Sequence, residues 1–138
     1  QSRGLGDVYK RQSNSTVFEA DLLVTDWSGI AYEYAFTTKK PVLFVDTPMK
    51  VMNPEYQKID TVPINIWMRD VIGDRLDPTK TEETENKVRN LLEQKDAYHD
   101  RIEKFVEEYV YNLGNSAEVG AKYIVQAVQE QIKKAKEQ

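Results

Sequence analysis

Cysteine is absent from the 138-residue sequence, so neither disulfides nor thiolate chemistry contributes to its fold or activity. No apolar run approaches the roughly 20 residues that a bilayer-spanning helix needs. A spanning helix is therefore not expected, while attachment to a membrane surface stays open. Positive charge is not in excess either: 19 Lys and Arg face 23 Asp and Glu, and the net charge of -4 supplies no basic field to draw in nucleic acid. Histidine occurs once, at His99, beside Asp96 and Asp100. With no partner constellation around it, it reads as a solvent-facing helix residue rather than a catalytic base.

An initiator Met and a signal-peptide pattern are also lacking. The run from Gly4 to Gln12, "GLGDVYKRQ", resembles translated adaptor sequence. Residues 1–12 are accordingly expected to be non-native, and the chain to be a fragment whose native upstream part is missing.

What is present fits one globular domain: 40% hydrophobic and 30% charged residues, enough for one real core but not two. Residues 13–20 read as a helix tail or loop. Asp21 to Asp26 is a short apolar strand expected to be buried on both faces, as in a parallel sheet. Ser28 to about Thr38 reads as a helix that Ser28 or Asp26 could cap. Pro41 to Asp46 is a second buried strand, and the three pieces make a βαβ unit. Thr47 to Ile66 is expected to be a long functional loop with one short strand near Thr61 to Ile66, followed by a short helix, Trp67 to Ile72, closed by Gly73. After Pro78 the pattern turns charged and helical. A capping box is expected at Thr79–Glu82, an amphipathic stripe runs from Tyr98 to Leu113, Gly114 stops that helix, and a last helix starts near Asn115. The expected organisation is thus an α/β region over 13–78, with a helical region over 79–138 packing on it.

The junction between the first strand and helix, Thr25-Asp26-Trp27-Ser28-Gly29, concentrates the chemistry. A parallel strand feeding a helix places the helix N-terminus at the carboxyl edge of the sheet, where ligands bind. The first amides of the helix lack intrahelical partners and suit a phosphate. Thr25 and Ser28 add hydroxyls, and Gly29 permits close backbone approach. Glu33 lies one turn above Gly29 on the same face, placed to accept hydrogen bonds from ribose hydroxyls. Asp26 would repel a diphosphate and reads better as a cap or loop-former. Lys50, after the second strand, and Arg69 and Arg75, flanking the short helix, are secondary candidates for a diphosphate. Taken alone, Asp and Ser at a helix start are equally well explained as ordinary capping.

The longer stretch "ADLLVTDWSGIAYEYAFTTKKPVLFVDTP" resembles the donor-site region of the CDP-glycerol glycerophosphotransferase family, the polymerases and primases of teichoic acid and related capsule polymers. The resemblance is carried by Ala20-Asp21, Thr25 to Gly29, Tyr32-Glu33 and Lys40-Pro41 with its apolar strand, and again by "YNLGNSAEVGAKYI" from Tyr111 to Ile124. Trp27 stands where the family has Tyr, and Gly29 where it has a second Ser, which removes one hydroxyl.

This resemblance implies an α/β fold, the partial Rossmann-like C-terminal half of a GT-B architecture, with residues 13–78 as a partial nucleotide-donor-binding Rossmann-like region and with no metal or cofactor. It implies a transferase that binds a nucleotide-diphospho donor, CDP-glycerol, and passes glycerol phosphate to a polyol-phosphate or glycan acceptor. Ser28 and the Gly29 backbone would meet the diphosphate, and Glu33 a ribose or glycerol hydroxyl. The family's catalytic histidines lie upstream of the matching segment, so no catalytic residue is assigned here and the isolated chain is expected to be inactive without the N-terminal GT-B half. A cytoplasmic location, peripheral to the membrane, follows from the family alone. Two alternatives remain open at this point: a sugar-nucleotide GT-B glycosyltransferase of capsule or lipopolysaccharide synthesis, and a non-catalytic α/β binding domain.

Overall fold

The structure, a computed structural model, describes residues 16–49 and 53–136. Segment 1–12 and Lys50 lie outside the described residues. After a helical turn at 16–19, the chain forms β1 (Leu23–Thr25), α1 (Ile30–Thr38) and β2 (Val42–Val45). A 3-10 turn (Tyr56–Lys58), α2 (Ile64–Trp67), α3 (Arg69–Ile72) and β3 (Gly73–Leu76) follow. Another 3-10 turn (Thr81–Glu83) leads into α4 (Thr84–Glu93), α5 (Lys95–Tyr109) and α6 (Ser116–Lys136). The fold is α/β, with a three-stranded parallel sheet in the order β1-β2-β3 and a mostly helical C-terminal end.

The chain divides into two compact units, with the boundary inside α5 after Phe105. In the first unit β2 is the central strand. Val42, Leu43 and Phe44 have no solvent exposure, because β2 pairs on both edges and carries side chains into covered layers on both faces. Ala31, Tyr34 and Ala35 of α1, Ile72 of α3, Leu91 of α4 and Ile102 of α5 complete the core. Phe105 stacks on Phe36 at 5.9 Å between centroids and meets Trp67 edge-on at 5.6 Å. The second unit is built on α6, which carries Ile124, Val125, Val128 and Ile132 along one side and Lys133, Lys134 and Lys136 in its last turn. Among the described residues no helix is long and apolar enough to cross a membrane.

Four local expectations are corrected. β1 is not buried on both faces: among the described residues it pairs with β2 alone, and Val24 is 51% exposed. No strand forms at 61–66. Pro63 (φ -55°) instead accepts the Ile66 amide at 2.9 Å and opens α2. Gly73 does not merely close a helix; it begins β3, opposite Val42, where a Cβ would lie 1.8 Å from the Val42 carbonyl oxygen. The sequence "GDRL" has no apolar alternation, so strand periodicity could not reveal it. The capping box at Thr79–Glu82 is also not made. Thr79 donates its amide (2.9 Å) and hydroxyl (2.7 Å) to Asp77 Oδ1 instead, which holds the Asp77 carboxyl below its ordinary pKa.

A fifth expectation is corrected: Gly114 does not stop α5, which ends at Tyr109, and the turn that follows takes positive φ at Asn112 (+58°) as well as at Gly114 (+83°). His99 is an exposed residue of α5, 3.5 Å from Asp100.

Candidate functional site

The carboxyl ends of β1 and β2 meet the segment that leads into β3, and three sequence-distant pieces converge there. After Thr25 the chain turns at Asp26, whose Oδ1 accepts the Ser28 amide at 3.0 Å. Asp26 is thus a loop-former, and α1 has no side-chain cap: Gly29 occupies the N-cap in a right-handed helical conformation (φ -61°, ψ -21°). The first turn closes through Ala31 N–H on Ser28 O (3.2 Å) and Tyr32 N–H on Gly29 O (3.1 Å). The Gly29 and Ile30 amides have no hydrogen-bond partner among the described residues, nor do the Thr25 and Ser28 hydroxyls. Ser28 and Gly29 are exposed, and space above Gly29 is open: a Cβ built there meets nothing within 4 Å. Two free amides at the positive end of a nine-residue helix, with the Ser28 hydroxyl next to them in the chain and open space above Gly29, have the chemistry that suits an anion. Glu33 is exposed one turn further on and makes no ion pair among the described residues.

Trp27 turns the other way. Its indole N–H donates to the Thr47 carbonyl at 2.7 Å, tying the β1–α1 loop to the end of β2 across 20 residues of sequence. One ring face lies 3.9 Å from the Arg69 guanidinium carbon, which is also 4.7 Å from the Phe44 ring centroid. Arg69 has no solvent exposure; its Nη2 stands 2.8 Å from Asp46 Oδ1. That ion pair is close but off the N–H direction, and Nε, Nη1 and Nη2 all lack a proper hydrogen bond among the described residues. A desolvated cation–π contact is worth about 2 kcal/mol, whereas each unmet buried donor costs about 1–3 kcal/mol. The rings and Asp46 therefore only partly offset the burial of this guanidinium. Tyr32, from α1, reaches the same neighbourhood: its hydroxyl donates to Asn65 O at 3.0 Å. Burial pushes its phenol pKa up, and nearby Arg69 opposes that rise.

The structure brings Thr25, Asp26, Ser28, Gly29 and Glu33 together on β1 and α1, and joins Arg69 to this corner through Trp27. Arg75 is committed elsewhere: Nε and Nη2 face the two oxygens of Asp70, each at 2.7 Å, which fixes α3 on β3. Sequence reasoning missed Asp46. The only signal for it was its place as the first polar residue after an apolar parallel strand.

The other pieces that carry the resemblance, Ala20-Asp21 and Lys40-Pro41, sit at the opposite, amino end of the strands. Lys40 Nζ donates to Ala20 O at 2.7 Å and lies 3.4 Å from Asp21, while the Tyr34 hydroxyl donates to the same carbonyl at 2.9 Å. They are structural. Two clefts of about 270 and 330 Å³ lie at Tyr56–Pro63 and around Asp21, Lys40, Leu92 and Lys95; none of the junction residues line them. Among the described residues no group of acidic and histidine side chains could hold a metal.

No curated protein and no solved structure matches the chain. Residues 5–128 match the model of the family described as CDP-glycerol:poly(glycerophosphate) glycerophosphotransferase, a span that includes the whole junction and its buried arginine. The chain belongs to that family of transferases.

Proposed function

We propose that the β1–α1 corner holds the diphosphate of CDP-glycerol for transfer of glycerol phosphate to a cell-surface polymer, teichoic acid or capsule. The observation that carries the reading is the pair of unpartnered amides, Gly29 and Ile30, beside two free hydroxyls on an open helix N-terminus. Family membership supplies the donor class. In the transfer, an acceptor hydroxyl oxygen attacks the phosphorus that carries glycerol. The bond from that phosphorus to the bridging oxygen breaks, CMP leaves with the electron pair, and the acceptor proton is lost to a base. The corner contributes fixed positive dipoles to the diphosphate, where negative charge grows on the leaving group, and such preorganised donors need no reorganisation during reaction.

Ser28 adds a hydroxyl to the same oxygens, Thr25 stands at the strand end beside them, and Glu33 accepts from a ribose or glycerol hydroxyl. Lys50, which follows the second strand in sequence, is a secondary contact to the diphosphate. On this reading the chain is the donor side of a GT-B transferase that works with an N-terminal half, at the cytoplasmic face of the membrane.

Isothermal titration of the chain with CDP and CDP-glycerol tests the proposal. Binding of both, weakened about 10-fold or more by Ser28→Ala through loss of a hydrogen bond to a charged group and weakened also by Glu33→Ala, is expected. Absence of binding, or full affinity in both variants, rejects the site.

A further inference from the structure

We infer that Arg69 is a positioning residue: from beneath Trp27 it holds the Asp-Trp-Ser-Gly loop in the form that leaves the Gly29 and Ile30 amides free. This rests on the donor reading above.

The loop has few local restraints. Asp26 fixes the Ser28 amide, but no side chain caps α1. What ties the loop to the rest of the sheet is Trp27, through Thr47 O at 2.7 Å and the Arg69 stack at 3.9 Å. Arg69 in turn is clamped between Trp27, Phe44 and Asp46, three groups that belong to β1's loop, β2 and the end of β2. A guanidinium is the side chain suited to this: planar enough to stack on an indole, and charged enough to pair with a carboxylate. Complete burial keeps Arg69 away from solvent, so it acts on a ligand through Trp27 rather than by touching it. Its unmet N–H groups mark a group retained at a cost to stability, as expected where position matters more than energy. Lysine would keep the charge and lose the planar stack.

When the loop spends less time in the binding form, apparent affinity falls by the lost fraction. A drop to about one tenth occupancy weakens donor binding about 10-fold. Because Arg69 works through Trp27, the two side chains form one unit. Arg69→Lys and Trp27→Leu should each weaken CDP about 10-fold, and the double variant about 10-fold again rather than ~100-fold. Trp27→Phe, which keeps a ring over the guanidinium but loses the bond to Thr47 O, should weaken CDP less than Trp27→Leu does.

The second readout does not need a ligand. In a Trp67→Phe background Trp27 is the sole tryptophan, and Arg69→Lys should make its fluorescence more accessible to acrylamide. If Arg69→Lys does not fold, Arg69→Met paired with Asp46→Asn removes both charges together and takes its place in both measurements.

Additive effects on CDP affinity, or unchanged affinity in the Arg69 variant, overturn the inference. So does unchanged quenching of Trp27. Should the unaltered chain fail to bind CDP, the donor reading falls, and quenching alone decides: increased access in the Arg69 variant sustains its hold on the loop, and unchanged access removes it.

Discussion

Gly29→Ala separates the fold from the site. Gly29 is the N-cap of α1 in a conformation that any residue adopts, φ -61° and ψ -21°, and an added methyl meets nothing within 4 Å. Two small effects on stability oppose each other. Alanine reduces the freedom of the unfolded chain, worth about 0.4–1 kcal/mol. Against that, alanine is a poorer N-cap than glycine, a difference on the order of several tenths of a kcal/mol. The net change is within about 0.5 kcal/mol, so the melting temperature should stay within about 3 °C of the parent. The ligand is another matter. The methyl would occupy the open space directly beside the free Gly29 amide, where a phosphate oxygen has to come within hydrogen-bond distance. Loss of one such bond to a charged group costs about 1.5–3 kcal/mol, or roughly 10- to 100-fold in affinity. Calorimetric titration with CDP and a thermal melt on the same protein make the comparison. Unchanged CDP affinity in a folded Gly29→Ala chain would refute the idea that phosphate sits over this residue.

Gly73→Ala should behave in the opposite way. Its Cβ would lie 1.8 Å from a backbone oxygen of the central strand, which cannot rotate aside, so destabilisation at or beyond the upper end of about 1–3 kcal/mol is expected in urea unfolding; a neutral variant would mean that β3 does not pair with β2 in this register. Alkaline pH should also weaken the fold. Burial raises the phenol pKa values of Tyr32, Tyr34 and Tyr98 above the ordinary 10.0. For a group whose folded pKa is the higher one, the stabilisation is complete below pH 10.0 and is lost as pH rises through the folded values. Tyr34, which as tyrosinate could no longer donate to Ala20 O, makes the case specific: Tyr34→Phe should lose less stability between neutral and strongly alkaline pH than the parent, read from melting temperatures alongside tyrosinate absorbance. Equal losses in the two proteins would remove Tyr34 from the account.

Much of the first unit was legible in the chain because its signals are local. An apolar strand, a helix-forming run and a Pro-initiated apolar strand gave β1, α1 and β2 in order, and their parallel pairing follows from the crossover between them. The charged amphipathic stretches gave α5 and α6, although α5 ends at Tyr109, ahead of the stop expected at Gly114. The same locality explains the errors at Thr79 and at 61–66. There a side chain or a proline chose one hydrogen bond over another of nearly equal merit, as with Thr79 turning back to Asp77. β3 was hidden for a different reason. Gly73 to Leu76 becomes a strand only because β2 offers its free edge, and the glycine is required by that contact rather than by its own conformation.

The sequence by itself determined the α/β character, the strand-to-helix junction and the residue types that give it an anion-accepting chemistry, because each depends on neighbours within one or two turns of chain. Tertiary structure alone decided that Asp26 shapes the loop instead of capping α1, that Val24 stays open on an edge strand, and that Arg69 lies sealed beneath Trp27 against Asp46. Those last partners are more than twenty residues from Arg69 in the chain. Their meeting is set by sheet order and by the desolvation of a guanidinium that only a folded core can impose, and no local pattern encodes either.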